Sequence, residues 1–148
     1  MNKSKKLIIA LSICIVMFCS CDKDTEPYTE YPVPEWTVES PWLMPNSFTA
    51  IVAIPDNISI YARDDDKIAA FINDECRGIG TLVKSEDGTK QVYYITIRAS
   101  DAESGEIIFK YYNARLAYLY QSKQTVAFET DGTYGTYDSP VILDLEYL

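Results

Sequence analysis

Gln91-Val92-Tyr93-Tyr94-Ile95-Thr96-Ile97-Arg98 decides the fold class. On an extended chain Tyr93, Ile95 and Ile97 share one face, and Val92, Tyr94, Thr96 and Arg98 share the other. A period of two marks a half-buried strand, and β-branched and aromatic residues suit a pleated surface. Glu106–Tyr112 repeats the pattern, with Ile107, Phe109 and Tyr111 opposed to Ile108, Lys110 and Tyr112. Outward from these two runs, similar short segments occur at 48–54, 58–62, 67–72, 77–83, 116–120, 125–129 and 141–147. Turn residues separate them. Pro55-Asp56-Asn57 fixes one φ and then offers side chains that hydrogen-bond locally. Asp87-Gly88 suits a hairpin, and Asp131-Gly132 does similar work. Pro140 stands at a strand start, where a missing N–H costs least. One stretch, Asn113–Gln121, has helical potential, but Tyr118 and Tyr120 favour a strand. The expectation is an all-β fold, an immunoglobulin-like antiparallel β-sandwich, with a jelly roll as the second arrangement.

The chain ahead of this region is organised differently. Lys3, Lys5 and Lys6 precede an apolar run from Leu7 to Phe18, followed by Cys19-Ser20-Cys21. The run is too short to span a bilayer, which takes roughly 20 residues, and it has the length of a signal h-region. Ser20 is the small residue that a lipoprotein cleavage box places before its cysteine. Cys14 follows Ile13 and Cys19 follows Phe18, both bulky. The expectation is therefore a signal peptide over 1–20, a lipid-modified Cys21, and residence at the outer membrane, exposed on the cell surface. Residues 21–46 hold Pro27, Pro32, Pro34, Pro41 and Pro45 and no glycine. They read as an extended tether, about 40 Å from Asp22 to Pro34 in polyproline geometry, leading to a domain over 47–148. Trp36 and Trp42 interrupt it, so its second half is expected to pack on the domain or form a short strand.

Composition narrows the function. The formal charge is −9, and loss of the three signal lysines makes the mature chain three units more negative. That argues against nucleic acid, which needs a basic patch. Cys76 is the one cysteine left after the signal and Cys21, so the monomer has no internal disulfide. The chain has no histidine, which removes the commonest general base, the hydrolase triads and most zinc sites. No Gly-rich phosphate loop and no Cys-x-x-Cys pair occurs, and no cofactor is expected. Paired carboxylates keep a glycoside hydrolase as the remaining enzymatic alternative. Asp64, Asp65 and Asp66 are the densest acidic cluster and the candidates for calcium, against a plain reading as a solvated turn. Of the aromatics, Trp36, Trp42, Tyr134 and Tyr137 are the candidates for stacking on a sugar ring; the plainer reading has tyrosine filling a β core. Cys76 reads as a small buried hydrophobe.

Further residues carry a resemblance. Ser47-Phe48-Thr49-Ala50, Asp66-Lys67-Ile68-Ala69-Ala70-Phe71, Asp74-Glu75-Cys76-Arg77-Gly78, Tyr94-Ile95-Thr96-Ile97 and Ile108-Phe109-Lys110-Tyr111-Tyr112 are joined late by Gly135-Thr136 and Ser139-Pro140-Val141. Over about residues 46–144 they resemble a small β-sandwich module of surface lipoproteins and secreted multidomain proteins of gut-type Gram-negative anaerobes. Asp22 and Asp24 resemble the export signal of such lipoproteins. The resemblance implies fold and location, and a non-catalytic module; it transfers no functional residue. The expected function is a surface-anchored binding or adhesion module with a glycan or a surface protein as ligand, held to the membrane by its lipid. The alternative is a structural accessory subunit of an outer-membrane complex.

Overall fold

The computed structural model describes residues 28–101 and 103–148. The expected signal peptide, the expected lipidation at Cys21 and the first part of the tether lie outside the described residues. Ten strands follow in chain order: β1 Asn46–Ala53, β2 Lys67–Ile72, β3 Glu75–Lys84, β4 Gln91–Ala99, β5 Glu106–Asn113, β6 Tyr118–Ser122, β7 Val126–Ala127, β8 Thr133–Tyr134, β9 Val141–Ile142 and β10 Leu145–Tyr147. One helical turn, α1 Asp56–Ser59, and a 3-10 turn at Pro41–Leu43 complete the regular structure among the described residues. The all-β expectation is met.

The strands pair in one continuous path, β10-β6-β5-β2-β3-β4-β1-β8. β3 makes this possible. Its first half pairs with β2, Ile72 opposite Glu75 and Ala69 opposite Ile79, and its second half pairs with β4, Gly80 opposite Ile95 and Lys84 opposite Gln91. The strand thus passes from one layer to the other, where an immunoglobulin-like sandwich keeps two separate sheets. The bend needs small residues: a Cβ on Gly78 would lie 2.6 Å from the Thr96 carbonyl oxygen. On the opposite side the last segment does similar work. β9 runs parallel to β1, and β10 then pairs antiparallel with β6. Leu143 between them is 1% exposed and donates its N–H to the Ala53 carbonyl. The sequence reads 141–147 as one strand; the structure splits it because the chain leaves one layer for the other at this residue.

Alternation becomes burial. Tyr93, Ile95 and Ile97 of β4 meet Ile107, Phe109 and Tyr111 of β5 in one core with Phe48, Ala50 and Val52 of β1 and Ile68, Ala70 and Ile72 of β2. The expected strand at 58–62 is corrected. Pro55 holds an extended conformation ahead of α1, its carbonyl accepts from the Ile58 and Ser59 N–H groups, and Ile58 alone of the turn is buried. The Pro-Asp-Asn signal therefore propagates into a turn of helix.

The tether also needs correction from Tyr28 onward. The Tyr31 N–H donates to the Ala117 carbonyl at 2.7 Å, the Tyr112 hydroxyl to the Tyr31 carbonyl at 3.3 Å, and Lys67 Nζ to the Pro34 carbonyl at 2.9 Å. Trp36 meets Phe71 edge-on at 5.7 Å. This strap lies on the outer face of β2, β5 and β6, which explains why Ala69, Phe71 and Tyr112 are buried although they point away from the core. The described part of the tether belongs to the folded body and does not lift it.

Candidate functional site

One end of the body collects the connections that follow β1, β3 and β5: residues 54–66, the β3–β4 hairpin and the turn after Asn113. A buried polar network fixes them. Asp66, 8% exposed, accepts from the Tyr111 hydroxyl and from the N–H groups of Arg63 and Ala114, each at 2.8 Å. Asn113 donates to the Tyr61 carbonyl and to the Tyr111 hydroxyl, and accepts from the Leu116 N–H. Burial pushes the phenols of Tyr111 and Tyr93 above their ordinary range, and the negative charge of Asp66 adds to this. The network is satisfied internally and holds the 54–66 connection against the β5–β6 turn.

This geometry shows how the calcium candidates are engaged. Both Asp66 oxygens accept protein hydrogen bonds, Asp64 is paired with Lys84, and Asp65 is exposed. Among the described residues no group of three or more His, Cys, Asp or Glu is placed to hold a metal ion. The aromatic candidates are likewise dispersed. Trp36 packs on Phe71; Tyr134 stacks on Phe109 with rings 6.2 Å apart and 5° from parallel; Tyr137 lies under the Lys90 ammonium at 4.4 Å. Trp42 is 78% exposed at the opposite end of the body. The four do not form a row, because two of them complete the packing of the two layers.

The same end holds a cleft of about 490 Å³, within the range of small-ligand sites. Ile54, Pro140 and Ile142 supply apolar wall; Asp56, Ser59, Gln91 and Asp138 supply polar groups; Lys90 supplies a cation. Lys90 Nζ stands 4.0 Å from Asp138 and over the Tyr137 ring, so two distant parts of the chain meet at one ammonium. Hydrogen bonds to Asp87 brace the hairpin that carries Lys90. The Asp87 carboxylate accepts from the Ser85 hydroxyl and from the Thr89 N–H and hydroxyl, and these bonds hold it at about 2. The sequence pointed to Tyr137 beside this cleft. It did not point to Lys90, Gln91, Asp56 or Asp138, which lie far apart in the chain and converge through the β1–β4 and β1–β9 pairings. The nearest signal was the clustering of turn residues around them.

A second acid–base cluster sits near the other end. Arg77 binds Glu103 at 2.7 Å and Glu75 at 2.6 Å. Burial opposes its charge, but the two carboxylates outweigh that and raise the guanidinium above its usual value. Cys76 beside it is half-buried, its thiol faces the Gly78 carbonyl at 3.8 Å, and burial raises it. A raised thiol is a poor nucleophile. In comparison with known proteins, the chain matches no family model, no curated protein and no solved structure.

Proposed function

We propose that the protein is a surface-anchored lipoprotein whose β body is a non-catalytic binding module, and that its ligand is a glycan unit seated in the end cleft. The cleft carries this reading. Its wall offers apolar surface for the faces of a ring, and Asp56, Ser59, Gln91 and Asp138 offer acceptors and donors for hydroxyl groups. A long chain stacked on several aromatics is not favoured, since Trp36 and Tyr134 are engaged within the body. Hydrolysis by paired carboxylates divides labour through unlike settings, one acid in an apolar pocket. Here both rim acids stand in water, with the Asp138 side chain 99% exposed. A glycan array probed with the purified protein tests the reading. Binding that is lost in Gln91→Ala and Asp138→Ala, with the thermal midpoint kept, supports it. Silence across the array overturns it in favour of a protein-facing accessory subunit.

A further inference from the structure

We infer that the cleft end of the body rests on the lipid surface, with its apolar rim at headgroup depth; this builds on the lipid anchor proposed at Cys21. Six large apolar side chains are exposed at this end: Tyr28 49%, Ile60 68%, Tyr61 38%, Ile142 65%, Tyr147 49% and Leu148 43%. They come from four separate stretches of chain and form two groups, Ile60, Tyr61 and Ile142 beside the cleft and Tyr28, Tyr147 and Leu148 at the start of β6. Ile60 and Tyr61 lie in the connection between β1 and β2; Ile142 sits opposite Ala53, the last residue of β1. Tyr28 packs on Tyr147 and on Tyr118, the first residue of β6. An isolated exposed apolar residue needs no explanation, but a collected set marks an interaction surface.

The position of the chain's entry selects lipid as the occupant. The strap begins at Tyr28, at this end, and runs toward the other end before β1 returns. Six residues lie between Cys21 and Tyr28, and the seven steps span at most about 25 Å of extended chain. β1 alone has eight residues, about 27 Å. An acylated Cys21 therefore holds the Tyr28 end at the bilayer and cannot easily turn the body over. The chemistry agrees. Tyrosine, with an apolar ring and a wet hydroxyl, suits the membrane–water boundary. Several charges at this end are paired, Asp64 with Lys84 and Asp138 with Lys90, while the Arg115 guanidinium covers the Tyr61 ring. The end is held by apolar contact and the short leash; the acidic chain gives no attraction to anionic lipid. A ligand in the cleft would then be met at headgroup height.

Depth-dependent quenching tests this with the full-length lipoprotein reconstituted in phosphatidylcholine vesicles carrying brominated acyl chains. Trp36→Phe leaves Trp42 as the sole reporter of the far end. Trp36→Phe with Trp42→Phe and Ile60→Trp reports the near end. The near reporter should lose most of its emission and shift to shorter wavelength, and the far reporter should be unchanged. An unquenched near reporter, or a quenched far one, overturns the inference, a protein neighbour on this face included. Mass analysis of the N-terminal peptide tests the anchor separately. Acylated Cys21 with no quenching at position 60 sinks the docking and leaves the anchor; unmodified Cys21 with quenching keeps the docking and sinks the anchor.

Discussion

Asp66 shows how one carboxylate can be read two ways. In the sequence it is the third of three acids in a turn, and in the structure it is a buried acceptor for Tyr111, Arg63 and Ala114. Removing it leaves a hydroxyl and two backbone N–H groups without their acceptor. Asp66→Ala should therefore cost about 3 kcal/mol, against a change within about 0.5 kcal/mol for exposed Asp65→Ala, by denaturant unfolding. Millimolar calcium should leave the thermal midpoint of the wild-type protein where it is. A rise would return Asp64, Asp65 and Asp66 to candidacy. The distinction was not legible in the chain, because it depends on Tyr111, 45 residues away, and on a turn whose N–H groups no pattern announces. By contrast Cys76, which reads in the sequence as a small buried hydrophobe, is only half-buried, its thiol facing the Gly78 carbonyl.

Among the elements, β3 and the strap carry what pattern alone did not show. Strand existence was readable wherever alternation held, as in β4 and β5, because period two and burial on one face are the same physical fact. What joins the two layers was not readable. Gly78-Ile79-Gly80 looks like ordinary strand glycine, and its meaning appears when β2 and β4 close in on either side. Gly78→Ala should destabilise by about 1–3 kcal/mol, because the clashing atom is the Thr96 backbone oxygen and cannot rotate away. Gly88→Ala, with no neighbour near its Cβ but a φ of +70°, should cost about 1 kcal/mol from backbone strain alone. The strap was half legible: Trp36 signalled packing, while the prolines suggested a spacer. Trp36→Ala should cost at least about 1 kcal/mol through the lost Phe71 contact. Hydrogen exchange should then speed up at the Tyr31 amide and not in β4.

For the whole molecule, the abundance of tyrosine has a thermodynamic consequence. Tyr93, Tyr111 and Tyr120 are buried, and burial raises all three phenols. In the unfolded chain they ionise near pH 10; in the folded one they stay neutral. The unfolded state then binds fewer protons, so stability is full below about pH 10 and falls as pH rises beyond it. The denaturant midpoint should hold from pH 7 to 9 and drop above 10. Absorbance titration should show a class of tyrosines, Tyr93, Tyr111 and Tyr120 among them, that ionises only on unfolding. The same body also has a mechanical polarity. A pull from the N-terminal side of Tyr28 reaches the strap before any strand of the body. Few bonds resist at once, so the segment comes away successively from Tyr31, Pro34 and Trp36, like tape from a surface. Thirteen residues from Tyr28 to Ser40 would yield roughly 40 Å of slack before tension arrives at β1 and its ladder with β4 in shear. The strap is thus a built-in extensible link, able to yield under tension from the proposed lipid anchor before the strands do.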